Sequence, residues 1–210
     1  MRKKLIVGLA ALTALGLAAT TAFAVVGINA SYVFSPNKAN KSAGVSVNYV
    51  ITDPAAIQPP VNNRIQISFA KGPKGCPSKS KLGTGTGVGY AKPVVTDPVN
   101  AKLTIFNGGS TILVYVFPDL GPTFVVTCKI IGGYNLDCTI PPIKTLPSAP
   151  DAATGTVNTK TTPKSIKKGK KKLGLIITPK KCKGSWKTSA VFSFTTGEKV
   201  TTNFSEKCKK

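Results

Sequence analysis

The stretch Trp186-Lys187-Thr188-Ser189-Ala190-Val191-Phe192-Ser193-Phe194 decides the fold, because its bulk recurs at every second residue. The even-numbered positions carry Trp, Thr, Ala and Phe, while Lys187, Ser189 and Ser193 lie on the opposite side of an extended chain. A period of two residues is typical of a β-strand with one buried face. This stretch and its flanks, residues 185–195, are therefore predicted to form a half-buried strand.

Further runs of β-branched, aromatic and apolar residues are separated by Gly, Pro, Asn or Asp, at a spacing that favours many short strands. Residues 112–117 are apolar on both faces, which predicts a central strand covered on each side. Outside the leader no 3.6-residue period is sustained, and frequent Thr, Gly and Pro disfavour helices. The fold class is therefore all-β, an antiparallel β-sandwich that is immunoglobulin-like or related. Besides 185–195, the predicted strands lie near residues 45–52, 64–69, 102–106, 111–117, 123–131, 134–140, 173–178 and 199–204.

The chain begins with a three-part secretion signal. Arg2-Lys3-Lys4 is positive, residues 5–20 are almost wholly apolar, and Ala22-Phe23-Ala24 supplies small residues at the two positions that signal peptidase reads. A membrane anchor is the competing interpretation, but a spanning helix needs about 20 apolar residues and this run is shorter. We expect a signal-peptide helix at residues 1–24, cleavage between Ala24 and Val25, and a secreted or cell-envelope product without a transmembrane segment.

The mature residues 25–210 are predicted to form a single β-sandwich domain with a basic C-terminal part. Residues 146–162 are rich in Pro, Ala, Thr and Gly and could form a linker. Only about 50 residues follow this segment, and so short a piece would bury a marginal core by itself. One domain is therefore preferred.

The mature chain is strongly basic, with 26 Lys+Arg against 7 Asp+Glu and a formal charge of +19 once the three basic residues of the leader are removed. Such a field attracts polyanions, but lysines also protect exposed strand edges and keep a secreted protein soluble. Arg64 is the single arginine of the mature chain, and arginine is the usual residue for specific phosphate recognition. The sequence therefore favours solubility. If the lysines bind, we expect non-specific contact with anionic cell-wall polymers or other polyanions, and no specific nucleic acid. The candidate contacts are ten lysines in a segment without carboxylates, Lys160, Lys164, Lys167, Lys168, Lys170, Lys171, Lys172, Lys180, Lys181 and Lys183.

The five cysteines are interpreted as disulfide candidates, because an exported chain meets oxidising conditions. If Gly132-Gly133-Tyr134 forms a three-residue hairpin loop, Ile131 faces Asn135 and Cys128 lies directly opposite Cys138. Opposed strand residues are close enough for a disulfide. The hairpin register therefore predicts the first disulfide.

The second predicted disulfide joins Cys182 to Cys208, which bracket a hairpin that turns at Thr196-Gly197. A tight turn there would place Cys208 opposite Ser185, so Cys182 must curl back to reach its partner. Cys76 is then left over, either as a free thiol or as an intermolecular partner.

The sequence contains no histidine, which removes the commonest general base, the usual triads and the commonest zinc ligand. The seven carboxylates of the mature chain are scattered and stand mostly beside turn residues. Residues 78–81 and 165–168 both read Ser-x-x-Lys, but they lack the helix and companion motifs of penicillin-binding enzymes. No catalytic residue, metal ligand or cofactor is therefore predicted.

The segment Gly83-Thr84-Gly85-Thr86-Gly87-Val88-Gly89 invites comparison with a dinucleotide-binding loop. Such a loop leads from a strand into a helix that holds the phosphates, and no helix is predicted after this one. The segment is instead predicted to be a Gly/Thr strand, placed where another backbone comes close or a bulge bends the sheet.

A set of short phrases, taken in order, resembles a group of uncharacterised secreted β-rich proteins from high-GC Gram-positive (actinobacterial) soil bacteria. The resemblance implies export and β structure, and no known activity. That group often has a cysteine upstream of its Cys-Pro phrase, and this chain has none before Cys76, which puts a family disulfide at Cys76 in doubt. The phrases are Cys76-Pro77 running into Gly83-Thr84-Gly85, Ile105-Phe106-Asn107-Gly108, Ile140-Pro141-Pro142-Ile143, Cys182-x-Gly184-x-Trp186, Phe192-x-Phe194 and Cys208.

The expected function is that of a non-enzymatic secreted or cell-envelope protein of the binding or structural kind. The alternative is an extracellular hydrolase or transferase that uses carboxylates or a Ser-Lys pair. Two carboxylates about 5 to 9.5 Å apart in a cleft would favour the enzyme. Lysines gathered on one continuous face would favour polyanion binding, and lysines spread over all faces would indicate solubility alone.

Overall fold

The computed structural model describes residues 26–53, 61–68, 81–144 and 150–210, and every regular element in these ranges is a β-strand. The predicted leader, its cleavage junction at Val25 and the predicted free thiol at Cys76 lie outside these ranges. Within them there is no helix long and apolar enough to cross a membrane. The thirteen strands are β1 Gly27–Ser35, β2 Gly44–Thr52, β3 Asn62–Ser68, β4 Lys81–Tyr90, β5 Val99–Asn107, β6 Thr111–Pro118, β7 Phe124–Ile131, β8 Asn135–Thr139, β9 Ala153–Thr161, β10 Ser165–Lys168, β11 Lys171–Gly174, β12 Ser185–Phe194 and β13 Lys199–Lys207.

Eleven strands form one antiparallel sheet in the order β1-β2-β9-β4-β5-β6-β7-β8-β3-β12-β13. The sheet curls until its two outer strands meet, where the Phe34 backbone N–H donates to both carboxylate oxygens of Glu206 at 2.9 Å. Beyond these strands Lys209 N donates to Asn37 O at 2.8 Å. The all-β antiparallel prediction is confirmed as one nearly closed, barrel-like sheet. A sandwich, immunoglobulin-like or otherwise, is not confirmed.

Because neighbouring strands are antiparallel, their ends collect at two opposite ends of the curled sheet. We call the upper end the one where β1 begins at Gly27 and faces Thr52, the last residue of β2. We call the lower end the one where β1 ends at Ser35 and faces Gly44, the first residue of β2. The small hairpin β10–β11 follows β9 at the lower end.

The alternation predicted for β12 is confirmed, since Trp186, Ala190, Phe192 and Phe194 are buried and Lys187 is exposed. The buried face packs into the largest core cluster, inside the curl of the sheet. Strand positions that face inward therefore alternate with positions that face solvent all around the ring.

The predicted Gly/Thr strand is confirmed as β4, which pairs with β5 on one side and β9 on the other. A Cβ atom at Gly83 would overlap the carbonyl oxygen of Lys160, and one at Gly85 would overlap that of Asn158. Bulges interrupt β4 between Lys81 and Gly83 and, against β9, between Val88 and Gly89. Close backbone approach and bulging together let the sheet bend sharply here.

Two sequence predictions are corrected. The strand predicted at 173–178 ends at Gly174, because the next residues bond to the β1–β2 loop and to Lys164, outside any ladder. The run 112–117 is not covered on both sides, because a single curled sheet has one inner face and Phe117 on the outer face is 43% exposed.

Three strands that the sequence pattern did not predict are β1, β9 and β10. Of these, β9 lies inside the stretch that was weighed as a linker, and it pairs with both β2 and β4 in the middle of the sheet order. Its Thr and Asn side chains suit a strand whose outer face is solvated.

Candidate functional site

Both predicted disulfides are present. Cys128 and Cys138 are direct partners in the β7–β8 register, with Ile131 facing Asn135 as the loop length required, and their S–S distance is 2.05 Å. Disulfides of this kind are features of proteins that fold under oxidising conditions.

The second disulfide, Cys182–Cys208, has a Cα–Cα distance of 5.8 Å and lies at the lower end. The Cys208 N–H donates to Gly184 O at 3.1 Å. Ser185 faces Lys207, whereas the tight turn predicted that Ser185 would face Cys208, so the register differs by one residue. The chain doubles back through a bridge between Lys183 and Ser185, which carries Cys182 to its partner.

Most lysines of the described residues lie at the lower end, whereas Lys92, Lys102, Lys144 and Lys199 lie at or near the upper end. The lysines at the lower end lie on the β1–β2 loop, the start of β4, the β9–β10 connection, the β10–β11 hairpin, the loop before β12 and the C-terminus. We call this set the basic end, and its exposed side chains are Lys38, Lys41, Lys81, Lys164, Lys167, Lys170, Lys172, Lys180, Lys181, Lys183, Lys207, Lys209 and Lys210. The candidate contact Lys160 is exposed on the outer face of β9 close to this end. For Lys168 and Lys171 the structure describes the backbone only.

Most carboxylates lie at the opposite, upper end, in loops or directly beyond strand ends. They are Asp53, Asp97, Asp119, Asp151 and Glu198. Asp151 pairs with Lys144 at 2.8 Å. The net positive charge of the described residues is therefore concentrated at the lower end of the sheet.

The other two carboxylates are already engaged by neighbours. Asp137, on the outer face of β8, accepts two hydrogen bonds from the Arg64 guanidinium at 2.8 and 2.7 Å, and this pairing lowers the pKa of Asp137. Glu206 accepts the Phe34 N–H, yet partial burial raises the pKa of Glu206 from its ordinary value. Neither carboxylate lies on the exposed surface of the basic end.

The basic end is built on a rigid support. The Trp186 indole N–H donates to Lys181 O at 2.9 Å, and the Trp186 ring stacks edge-on against Phe34 at 5.3 Å between centroids. Together with the Cys182–Cys208 disulfide, these contacts fix the loop that carries Lys180, Lys181 and Lys183.

The β10–β11 hairpin sets like charges against each other. Lys167 pairs with Lys172 across the hairpin, and both side chains are exposed. Like charges directly opposite one another destabilise a β pair. Asp137 pairs with Arg64 and Asp151 with Lys144, both away from this hairpin, and no carboxylate of the described residues lies on the hairpin itself.

The interior of the sheet encloses a cavity of about 1040 Å³. Its wall includes Val47, Leu103, Val114, Val126 and Phe192 and is predominantly apolar. On β4 the lining includes Leu82, Gly87 and Val88, and Gly87 has no side chain to fill the space.

Residues 175–177 cover part of the lower end of the cavity. Leu175 is buried against Leu82 and Ile105, and the Ile176 carbonyl accepts a hydrogen bond from Ala43 N at 2.9 Å. At the upper end the lining residues Val94 and Leu120 are 39% and 60% exposed. The apolar lining therefore reaches the surface at the upper end, opposite most of the lysines.

Tyr49, near the middle of β2, is one of the polar side chains in the mostly apolar wall. The Tyr49 ring packs edge-on against Phe192 at 5.3 Å, and burial raises the pKa of Tyr49 well above its ordinary value. Among the residues that the structure describes, none forms a hydrogen bond with the Tyr49 hydroxyl. The hydroxyl is therefore available to a molecule inside the cavity.

Within the described ranges no group of three His, Cys, Asp or Glu residues is placed to hold a metal ion. Sequence reasoning identified the lysines but missed their common end and the cavity. No sequence pattern identified the cavity, because its wall is assembled from strands that are far apart along the chain.

Comparison of this chain with protein-family models, with curated proteins and with solved structures gives no match to any of them.

Proposed function

We propose that this is an exported, non-enzymatic binding protein whose basic end binds anionic polymers of the cell envelope. The observation that carries the proposal is the collection of exposed lysines at one end of the sheet, with most carboxylates at the other. Lysines that served solubility alone would be spread over all faces. A positive electrostatic field concentrated at one end also orients the protein as it approaches an anionic surface.

The chemistry of the basic end favours a polyanion without a defined shape. Lysine is a strongly hydrated point charge on a flexible stem, whereas specific phosphate recognition usually uses the planar arginine fork. The guanidinium of Arg64 is occupied by Asp137, away from the basic end. Binding should therefore be driven by release of counterions from the polymer and depend strongly on salt.

The opposed lysines of the β10–β11 hairpin support the same function. Lys167 and Lys172 face each other without a neutralising carboxylate in the described residues, which costs stability unless an anion lies between them. A polymer phosphate or carboxylate at this position would relieve the repulsion. The two disulfides and the predicted leader agree with a site of action outside the cytoplasm.

The test compares two double variants that remove the same charge. Lys167→Gln with Lys172→Gln changes the basic end, and Lys102→Gln with Lys199→Gln changes exposed lysines elsewhere. Binding to heparin and to purified wall teichoic acid is measured over a series of salt concentrations. We expect the first variant to flatten the slope of log affinity against log salt by about 1 to 2, and the second to change it little.

Equal effects of the two variants would mean that only net charge matters, and would reject the basic end as a binding surface. Binding to one polymer that survives high salt would reject the non-specific mechanism. Cooperative thermal unfolding of both variants serves as the folding control.

A further inference from the structure

We propose that the interior cavity binds a neutral, lipid-sized molecule that has an apolar body and one group able to accept a hydrogen bond from the Tyr49 hydroxyl. This binding site is separate from the basic end and goes beyond the proposed function. It rests on the size and lining of the cavity and on the position of one polar side chain within it.

The dimensions suit a small molecule. A cavity of about 1040 Å³ is at the upper limit of ordinary ligand sites, which are concave, mostly apolar and supplied with a few placed polar groups. Several wall residues, including Val114 and Val126, are only partly buried although they line the cavity and pack against the core at their edges. Apolar walls left uncovered by protein gain free energy when an apolar body covers them.

The lining determines that the ligand is neutral. Of the described residues that line the cavity, Lys144 is the charged one, and it lies at the upper opening, paired with Asp151 at 2.8 Å. An ionised group deeper in the cavity would meet no opposite charge, and an unpaired buried charge is very costly.

Tyr49 determines where the polar group of the ligand lies. Tyr49 lines the cavity, its ring is held against Phe192, and its hydroxyl has no hydrogen-bond partner among the described residues. A ligand carbonyl, ester or hydroxyl oxygen at this position would accept the hydrogen bond that the protein leaves unmade.

The ligand enters from the upper end. At the lower end Leu175 and Ile176 cover part of the cavity, and backbone hydrogen bonds to Lys164 and Ala43 at 2.8 and 2.9 Å hold them in place. At the upper end the exposed side chains of Val94 and Leu120 continue the apolar lining to the surface.

The test uses two uncharged fluorescent probes with the mature protein. Nile red carries a carbonyl acceptor, and diphenylhexatriene is a pure hydrocarbon. We expect both to bind with a rise in fluorescence that persists in about 1 M salt, where charge interactions are screened within about 3 Å. Tyr49→Phe keeps the ring and removes the hydroxyl, so it should weaken Nile red binding about five-fold and leave diphenylhexatriene unchanged.

A matched pair of variants locates the probes. Val114→Trp places bulk in the cavity and should abolish binding of both probes, while Tyr115→Trp, the next residue on the outer face of β6, should leave it intact. Failure of both probes to bind the cooperatively folded wild-type protein would overturn the proposal. So would equal effects of the two Trp variants, or an equal effect of Tyr49→Phe on both probes.

Discussion

Replacing Gly85 by Ala should destabilise the protein by about 2 to 4 kcal/mol, whereas the same change at Gly87 should not. Both glycines lie on β4 and point to the same side of the sheet. A Cβ at Gly85 would overlap the carbonyl oxygen of Asn158 and lie 2.9 Å from the Thr159 Cγ2 atom. A Cβ at Gly87 would lie 3.4 Å from the Thr156 carbonyl oxygen, an ordinary contact.

The size of the destabilisation at Gly85 follows from which part of the structure must move. Backbone oxygen cannot rotate away as a side chain can, so β9 must shift from β4, at a cost of about 1 to 3 kcal/mol for overpacking. Each ladder hydrogen bond that is stretched adds about 0.5 to 1.5 kcal/mol. Alanine also restricts the unfolded chain more than glycine does, which stabilises the folded state by about 0.4 to 1 kcal/mol. At Gly87 this stabilisation is the whole expected effect.

The assay is reversible unfolding in urea and by heat, with the disulfides intact. For a chain of this size the loss at Gly85 corresponds to a fall in Tm of about 5 to 15 °C. Equal stability of the two variants would refute the close approach of β4 and β9, and with it the explanation for the sharp curl of the sheet.

Three other predictions concern the termini, the odd cysteine and acid stability. Exported protein should begin at Val25 by intact-mass measurement, and a membrane-bound form that begins at Met1 would disprove cleavage. Cys76 should react with a thiol reagent after denaturation without reductant, and a peptide map that joins it to another cysteine would contradict this. Because Arg64 lowers the pKa of Asp137, the pairing stabilises the fold above the ordinary aspartate pKa, and this contribution is lost as pH falls through the lowered value. Asp137→Asn should therefore flatten the loss of stability below about pH 4 in urea unfolding, and an unchanged acid slope would show that the pair contributes nothing.

The sequence by itself determined most of the local structure. The period of two in β12 and the Gly-Gly-Tyr loop between β7 and β8 depend only on neighbours along the chain, and they correctly predicted a half-buried strand and the Cys128–Cys138 disulfide. The glycines of β4 predicted a strand with a closely approaching backbone for the same local reason. The strand β9 was missed because its polar Thr and Asn residues give a weak apolar pattern, and its place in the sheet comes from pairing with β2 and β4.

Only the tertiary structure decided how the strands are arranged and what the arrangement forms. A sandwich and a single curled sheet give the same alternating sequence pattern, because the strands of both have one inner and one outer face. Only the order in which the strands pair distinguishes the two folds. The lysines of 160–183 share an end with Lys38, Lys41 and Lys207 because antiparallel pairing returns distant loops to the same side. The cavity likewise lies between strands that are far apart in sequence, so a space between them is a property of the nearly closed sheet and not of any one segment.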